Sequence, residues 1–393
     1  MKVFLIALMA IASFGRVSAQ TDPEAKVPVY TLPEVLKSSD GQQIKDKSAW
    51  EKTRRPEVLR LFEDHVYGQV PRDYDDIKFT VTNDEEKVMN GKAHLKEIDI
   101  AVTRSGQKVK IHLTLFVPNK GKKNYPAFLL INNRPVSNTD PNRETKSEFW
   151  PAELLVDSGY AIAAFHVADA APDKKENYQD GALRLYPEQL KADNGMKAIG
   201  AWAWAASRIM DYFKTDRDID FNKVTVVGHS RGGKAALWAG AEDQRFAMVI
   251  ANCSGNTGAA LSRRQFGETV KVINTNFPHW FANNYRKYNE DVNALPIDQH
   301  MLLSLIAPRP VYTTNASKDL WADPKGSYLA LVNAQPVYTL YNKMSTLSAE
   351  PPAIDQPIIN SILGYHNREG VHDMTRYDWE NFIRFANFHF RKR

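Results

Sequence analysis

Residues 224–233 read VTVVGHSRGG, a run of β-branched apolar residues that ends in Gly-His-Ser-Arg-Gly and passes through Lys234 into AALWAGA. The pattern predicts a buried strand, a sharp turn and a helix. A serine on such a turn is held with its hydroxyl at the tip of the strand. Gly228 and Gly232 leave room where a side chain would collide across the bend. Ser230 is therefore the leading candidate nucleophile.

Outward from this stretch, further apolar runs recur: AFLLINN at 127–133, YAIAAFHV at 160–167, FAMVIANCS at 246–254 and RPVYTTNAS at 309–317. Unbroken apolar strands separated by helices indicate an α/β fold, a mostly parallel sheet sandwiched between helices. Alternating segments near 76–83, 92–103 and 107–118 predict antiparallel strands at the N-terminal edge. A helix is expected over 48–68, and a second over 197–215 with Ile199, Trp202, Ala206, Ile209 and Met210 on one side. The tryptophans of the second read as core, not cofactor contacts.

An elbow serine on a parallel sheet predicts an α/β-hydrolase, whose partners follow in the order serine, acid, histidine at the ends of successive strands. Asp319, just after VYTTNAS, and His372, in GYHNREGVHDMT, meet that demand. Asp323 and His366 are the alternatives. Asp323 precedes Pro324 and reads as a turn residue, and Asp373 as a cap for the helix that follows Thr375. His389 reads as structural, and chain direction turns His229 away from the serine's side chain.

The first nineteen residues read as a secretory signal: Met1-Lys2, an apolar stretch from Val3 to Phe14, and the small-x-small site Val17-Ser18-Ala19. No later stretch approaches the roughly 20 consecutive apolar residues of a membrane helix. The expected organisation is a signal at 1–19, an N-terminal extension at 20–45 and one catalytic domain at 46–393. Loss of Lys2 and Arg16 lowers the formal charge from +5 to +3, and basic residues are spread along the chain. Nucleic acid and membrane are excluded as expected partners, and the protein is expected to be a monomer, secreted or periplasmic. Cys253 is the only cysteine, so no intrachain disulfide forms and no lipid-anchoring cysteine follows the signal.

The motifs GHSRGGKAALWAGA (228–241), SGNTGAALSRR (254–264), FGETV (266–270), FPHWF (277–281), LPIDQHMLLSLIAPRP (295–310), DLWADPKG (319–326) and GYHNREGVHDMTRYDW (364–379) resemble the glucuronoyl esterases, carbohydrate esterase family 15. The resemblance implies cleavage of the ester joining 4-O-methyl-glucuronic acid on xylan to an alcohol of lignin, with no metal or organic cofactor. It implies an oxyanion-stabilising guanidinium at Arg231 and sugar contacts from Lys234, Glu268 and Trp321. Two cations at a helix N-terminus oppose the macrodipole, which favours function over stability for Arg231 and Lys234. Some relatives place a glutamate where this chain has Cys253, so the acid role falls on Asp319. A pectin-type uronate methyl esterase or an acetyl xylan esterase is the alternative within the same class. A catalytically idle carbohydrate-binding protein is the alternative outside it.

Overall fold

The computed structural model describes residues 23–390, so the proposed signal at 1–19 lies outside the described residues. Among the described residues nine strands form one sheet: β1 (Asp76–Val88), β2 (Ala93–Arg104), β3 (Gln107–Pro118), β4 (Tyr125–Asn132), β5 (Ala161–His166), β6 (Ile219–His229), β7 (Met248–Asn252), β8 (Val311–Ala316) and β9 (Leu363–Arg368). Their order is β1-β2-β3-β5-β4-β6-β7-β8-β9. The first three form an antiparallel meander that joins β5 antiparallel, and every pairing from β5 to β9 is parallel.

The central strands alternate between two cores, as a period of two requires. In β4, Ala127, Leu129 and Ile131 face one core while Phe128 and Leu130 face the other. The first core takes helices Ala198–Phe213, Arg231–Glu242 and Pro324–Leu340, and the second takes helices Ala152–Asp157 and Arg376–Phe390. Trp202 and Trp204 are wholly buried, as expected of core residues. The expected helix at 48–68 spans Lys47 to Tyr67, widened to π turns at Trp50–Arg54 and Glu63–Tyr67. Residues before this helix pack onto the rest of the fold. Val35 and Ile44 join the first core, and the Pro33 carbonyl accepts from His300 Nε2.

β9 was not among the strands expected. Its sequence, LGYHNR, carries a buried histidine and a buried arginine, which a hydrophobic pattern does not flag. Asp378, fully buried on the final helix, satisfies both: its Oδ1 lies 2.8 Å from His366 Nε2 and its Oδ2 accepts from Arg368 Nε at 2.9 Å. A second difference concerns Asp373. Its carboxylate accepts from the Met374 N–H and pairs with Arg134, while Asp378 accepts from the Thr375 N–H and hydroxyl at the start of the final helix.

Candidate active site

Strand β6 ends at His229 and helix Arg231–Glu242 begins two residues later, so Ser230 alone makes the turn. Its backbone sits at φ 55°, ψ −126°, a conformation that L residues rarely adopt. Such strain persists only where the surroundings over-determine it. The Ser230 N–H donates to the Asn252 carbonyl on β7 at 2.8 Å. A Cβ on Gly228 would lie 2.0 Å from the Gly232 carbonyl oxygen, so only glycine permits the close crossing of strand and helix.

The chain beyond β8 and β9 carries the expected acid and imidazole. Asp319, three residues beyond β8 and buried, places Oδ2 2.5 Å from His372 Nδ1. His372 follows β9 by four residues, and its side chain is 38% exposed, so a molecule in the cleft can reach it. The alternatives are occupied elsewhere. Asp323 pairs with Arg264 and caps helix Pro324–Leu340 through the Gly326 N–H, and His366 is buried between Asp378 and Tyr312.

His229 is wholly buried and its ring packs 4.6 Å from that of His372, which sets the imidazole beside the elbow. Burial, and next the proximity of His372, hold its pKa well below the ordinary value, so it is neutral. Its Nδ1 lies 2.6 Å from Asn252 Oδ1, which fixes Nδ1 as the protonated nitrogen and leaves Nε2 to accept from Arg134 Nη2 at 3.2 Å. With both nitrogens engaged it is no general base. The same Arg134 nitrogen lies 3.4 Å from Asp373 Oδ1, so one guanidinium joins the residue before Ser230 to the residue after His372.

Arg231 opens the elbow helix, and its Nε lies 2.5 Å from Asp173 Oδ2, with the guanidinium 5.8 Å from the ring centre of Trp280. Asp173 also accepts from His279 Nε2 at 2.9 Å and Trp280 Nε1 at 2.7 Å. Burial works against its charge, but these partners outweigh it and hold the carboxyl below its ordinary range. Asp173 stands in an irregular loop after β5, and the sequence offered no periodicity or motif by which to find it.

Lys234 is buried one helical turn on, and its ammonium donates to the carbonyls of Ser254 and Asn256 and to Glu268 Oε2 at 2.7 Å. Three protons meet three protein acceptors, and Glu268 Oε1 accepts no hydrogen bond among the described residues. Trp321 is 53% exposed, which removes the core-packing reading. Its carbonyl accepts from the Glu268 N–H at 2.9 Å, tying the two loops together. Beside it, Val27, Phe266 and Leu320 frame an apolar hollow of about 330 Å³.

Cys253 Sγ, Asp319 and His372 bring their ligand atoms within 4.8 Å of one another, a spacing that also suits a metal ion. Burial, followed by the charges of Asp378 and Asp319, pushes the thiol well above its ordinary range. A protonated thiol is a poor ligand and a poor nucleophile. The 2.5 Å contact of Asp319 Oδ2 with His372 Nδ1 is the arrangement by which a carboxylate orients an imidazole and fixes its tautomer.

A mostly parallel sheet with a strained serine on its elbow and a carboxylate–imidazole pair beyond the following strands defines an α/β-hydrolase. The family model for fungal glucuronyl esterases matches residues 100–342. Carbohydrate esterase MZ0003, from an unknown prokaryotic organism, is 39% identical over 93% of this chain and 91% of its own. A 4-O-methyl-glucuronoyl methylesterase of Schizophyllum commune is 27% identical over 84% and 80%. Among solved structures, a promiscuous CE15 esterase from a marine bacterial metagenome superposes with TM-score 0.86 at 38% identity, covering 93% of this chain and 98% of that one. A glucuronoyl esterase from Solibacter usitatus superposes with TM-score 0.85 at 36% identity, covering 93% and 99%. The chain belongs to the glucuronoyl esterase family, carbohydrate esterase family 15, and thus to the carboxylic ester hydrolases.

Proposed function

We propose that this protein hydrolyses esters of 4-O-methyl-glucuronic acid through an acyl-enzyme on Ser230. The observation that carries the reading is the 2.5 Å contact between His372 Nδ1 and Asp319 Oδ2 beside the elbow. Asp319 holds the proton of His372 on Nδ1 and leaves Nε2 bare to take the proton of the serine hydroxyl. Ser230 Oγ adds to the ester carbonyl, and the negative charge that develops on the carbonyl oxygen is stabilised by the Arg231 guanidinium. The tetrahedral intermediate collapses, the bond to the alkoxide breaks, and His372 returns its proton to the departing alcohol. Water activated by His372 then adds to the acyl-serine carbonyl, and collapse releases the uronic acid and regenerates the hydroxyl.

Glu268 Oε1 accepts from sugar hydroxyls, Lys234 fixes the Glu268 carboxylate, and the exposed indole of Trp321 packs on a C–H face of the sugar. The substrate proposed is the lignin-linked ester on glucuronoxylan, met outside the cell after removal of the segment 1–19. No helix of the described residues is long and apolar enough to cross a membrane.

The test compares initial rates on methyl and benzyl glucuronate, methyl galacturonate and 4-nitrophenyl acetate, with Ser230→Ala as the blank. A dominant kcat/KM on the glucuronates, falling by at least ~10³ in Ser230→Ala, supports the proposal. Activity confined to the galacturonate or the acetate overturns the substrate, and full activity in Ser230→Ala overturns the nucleophile.

A further inference from the structure

Behind the Arg231–Asp173 pair lies a second cavity, of about 240 Å³, lined by Tyr178, Lys197, His279, Asn283, Arg286 and Lys175 among others. None of its lining residues is acidic. Lys197 is 92% buried, and its ammonium donates to the Pro278 carbonyl and to Asn283 Oδ1, both at 2.8 Å, with no carboxylate partner among the described residues. Arg286 donates to the same Pro278 carbonyl at 3.2 Å and is likewise without a carboxylate. Two cations share one wall, and the exposed Lys175 reaches only Glu176 on its own segment. Burial, and then the charge of Arg286, pull the Lys197 ammonium down to about 8. An anion between the two cations relieves both effects.

A further group narrows the ligand. His279 is 5% exposed, and its Nδ1 is buried with no hydrogen-bond partner. Its Nε2 is engaged by Asp173, which fixes Nε2 as the protonated nitrogen and leaves Nδ1 an acceptor. His279 lines the same cavity as the two cations, and this combination matches a molecule that carries both a negative charge and a hydroxyl donor. A bare inorganic anion satisfies only the cations.

We propose that this cavity is a second binding site for a sugar carboxylate, its negative charge held between Lys197 and Arg286 and a hydroxyl donated to His279 Nδ1. The site adjoins the catalytic cleft through a shared residue, because Asp173 holds His279 with one carboxylate oxygen and Arg231 with the other. The sugar acid has two sources: the uronic acid released by hydrolysis, or a neighbouring uncleaved uronate on the same polysaccharide. Both sources rest on the function proposed above.

The experiment is a calorimetric titration of glucuronate, with neutral glucuronamide as control, into the wild type, Arg286→Gln and Lys197→Met, alongside a crystal structure of Ser230→Ala grown with glucuronate. The expected result is sugar density against Lys197 and Arg286, and a binding isotherm that weakens about tenfold or more in Arg286→Gln. Arg286 is exposed, so its variant folds even if Lys197→Met does not. Density confined to the cleft at Ser230, equal binding of glucuronamide, or unchanged binding in Arg286→Gln overturns the proposal. Product inhibition that is relieved in Arg286→Gln identifies the released acid as the source. A higher kcat/KM on an oligosaccharide with two uronates than on one with a single uronate, lost in the same variant, identifies the neighbour. Failure of the esterase reading shows separately, as absence of hydrolysis of any uronate ester by the wild type.

Discussion

Asp319→Asn isolates the acid by keeping its size and removing its charge. In the proposed mechanism His372 carries a positive charge with the carboxylate against it, and two unit charges about 4 Å apart at an effective dielectric near 20 interact by about 4 kcal/mol. Asp319 is buried but His372 is 38% exposed, so solvent reclaims part of that and about 3 kcal/mol remains. A second loss adds to it. When the asparagine amide turns its N–H toward Nδ1, the imidazole proton moves to Nε2, where it blocks acceptance of the serine proton. Together these predict a fall in kcat/KM of at least about 10³. Steady-state hydrolysis of benzyl glucuronate measures it. Cys253→Ala is the comparison, because a neutral buried thiol supplies no charge to the imidazole. It is expected to stay within about threefold of wild type. Cys253→Glu on the Asp319→Asn background brings a carboxylate within reach of His372 and is expected to recover part of the rate. Retention of more than about a tenth of the activity in Asp319→Asn, or an equal loss in Cys253→Ala, refutes the assignment.

Asp173→Asn leaves the Arg231 guanidinium without its charged partner, and kcat is expected to drop about tenfold with little change in KM, read from saturation kinetics on methyl glucuronate. Glu242→Gln tests pH dependence: burial, and next the neighbouring Glu63, push the Glu242 carboxyl from 4.5 up to about 7. Because the folded protein holds this proton more tightly than the unfolded chain, the contribution is fully present below about pH 4.5 and lost as pH rises through about 7. Glu242→Gln is therefore expected to raise Tm near pH 8 and leave it unchanged near pH 4, with a gain of about 1–3 kcal/mol, followed by thermal melts. Trp238→Ala removes a wholly buried ring stacked 4.5 Å from Tyr67 and is expected to cost about 3–5 kcal/mol, seen as a lowered Tm with esterase activity kept at low temperature.

The elbow was legible because its chemistry is local: Gly228, Ser230 and Gly232 lie within five residues, and steric demand alone selects them. The position of Asp319 beside His372 was legible through its place after an apolar strand. β9 was not, since His366 and Arg368 sit in the interior with their hydrogen bonds met by Asp378, ten or more residues on. Asp173, Arg134 and Asn252 escaped for the same reason. Each acts through a partner far away in sequence, and no spacing within its own segment announces the pairing.

The Arg134 guanidinium spans from His229 to Asp373 at the mouth of the site, with its own side chain 38% exposed and that of Asp373 half exposed. Ion pairs so open to water are weak and are screened as electrolyte rises. Ionic strength thereby becomes a mechanical variable for this enzyme. In dilute buffer the loop that bears His372 is moored to the end of the strand that precedes Ser230, and in brine that mooring slackens while the buried Asp319 contact holds.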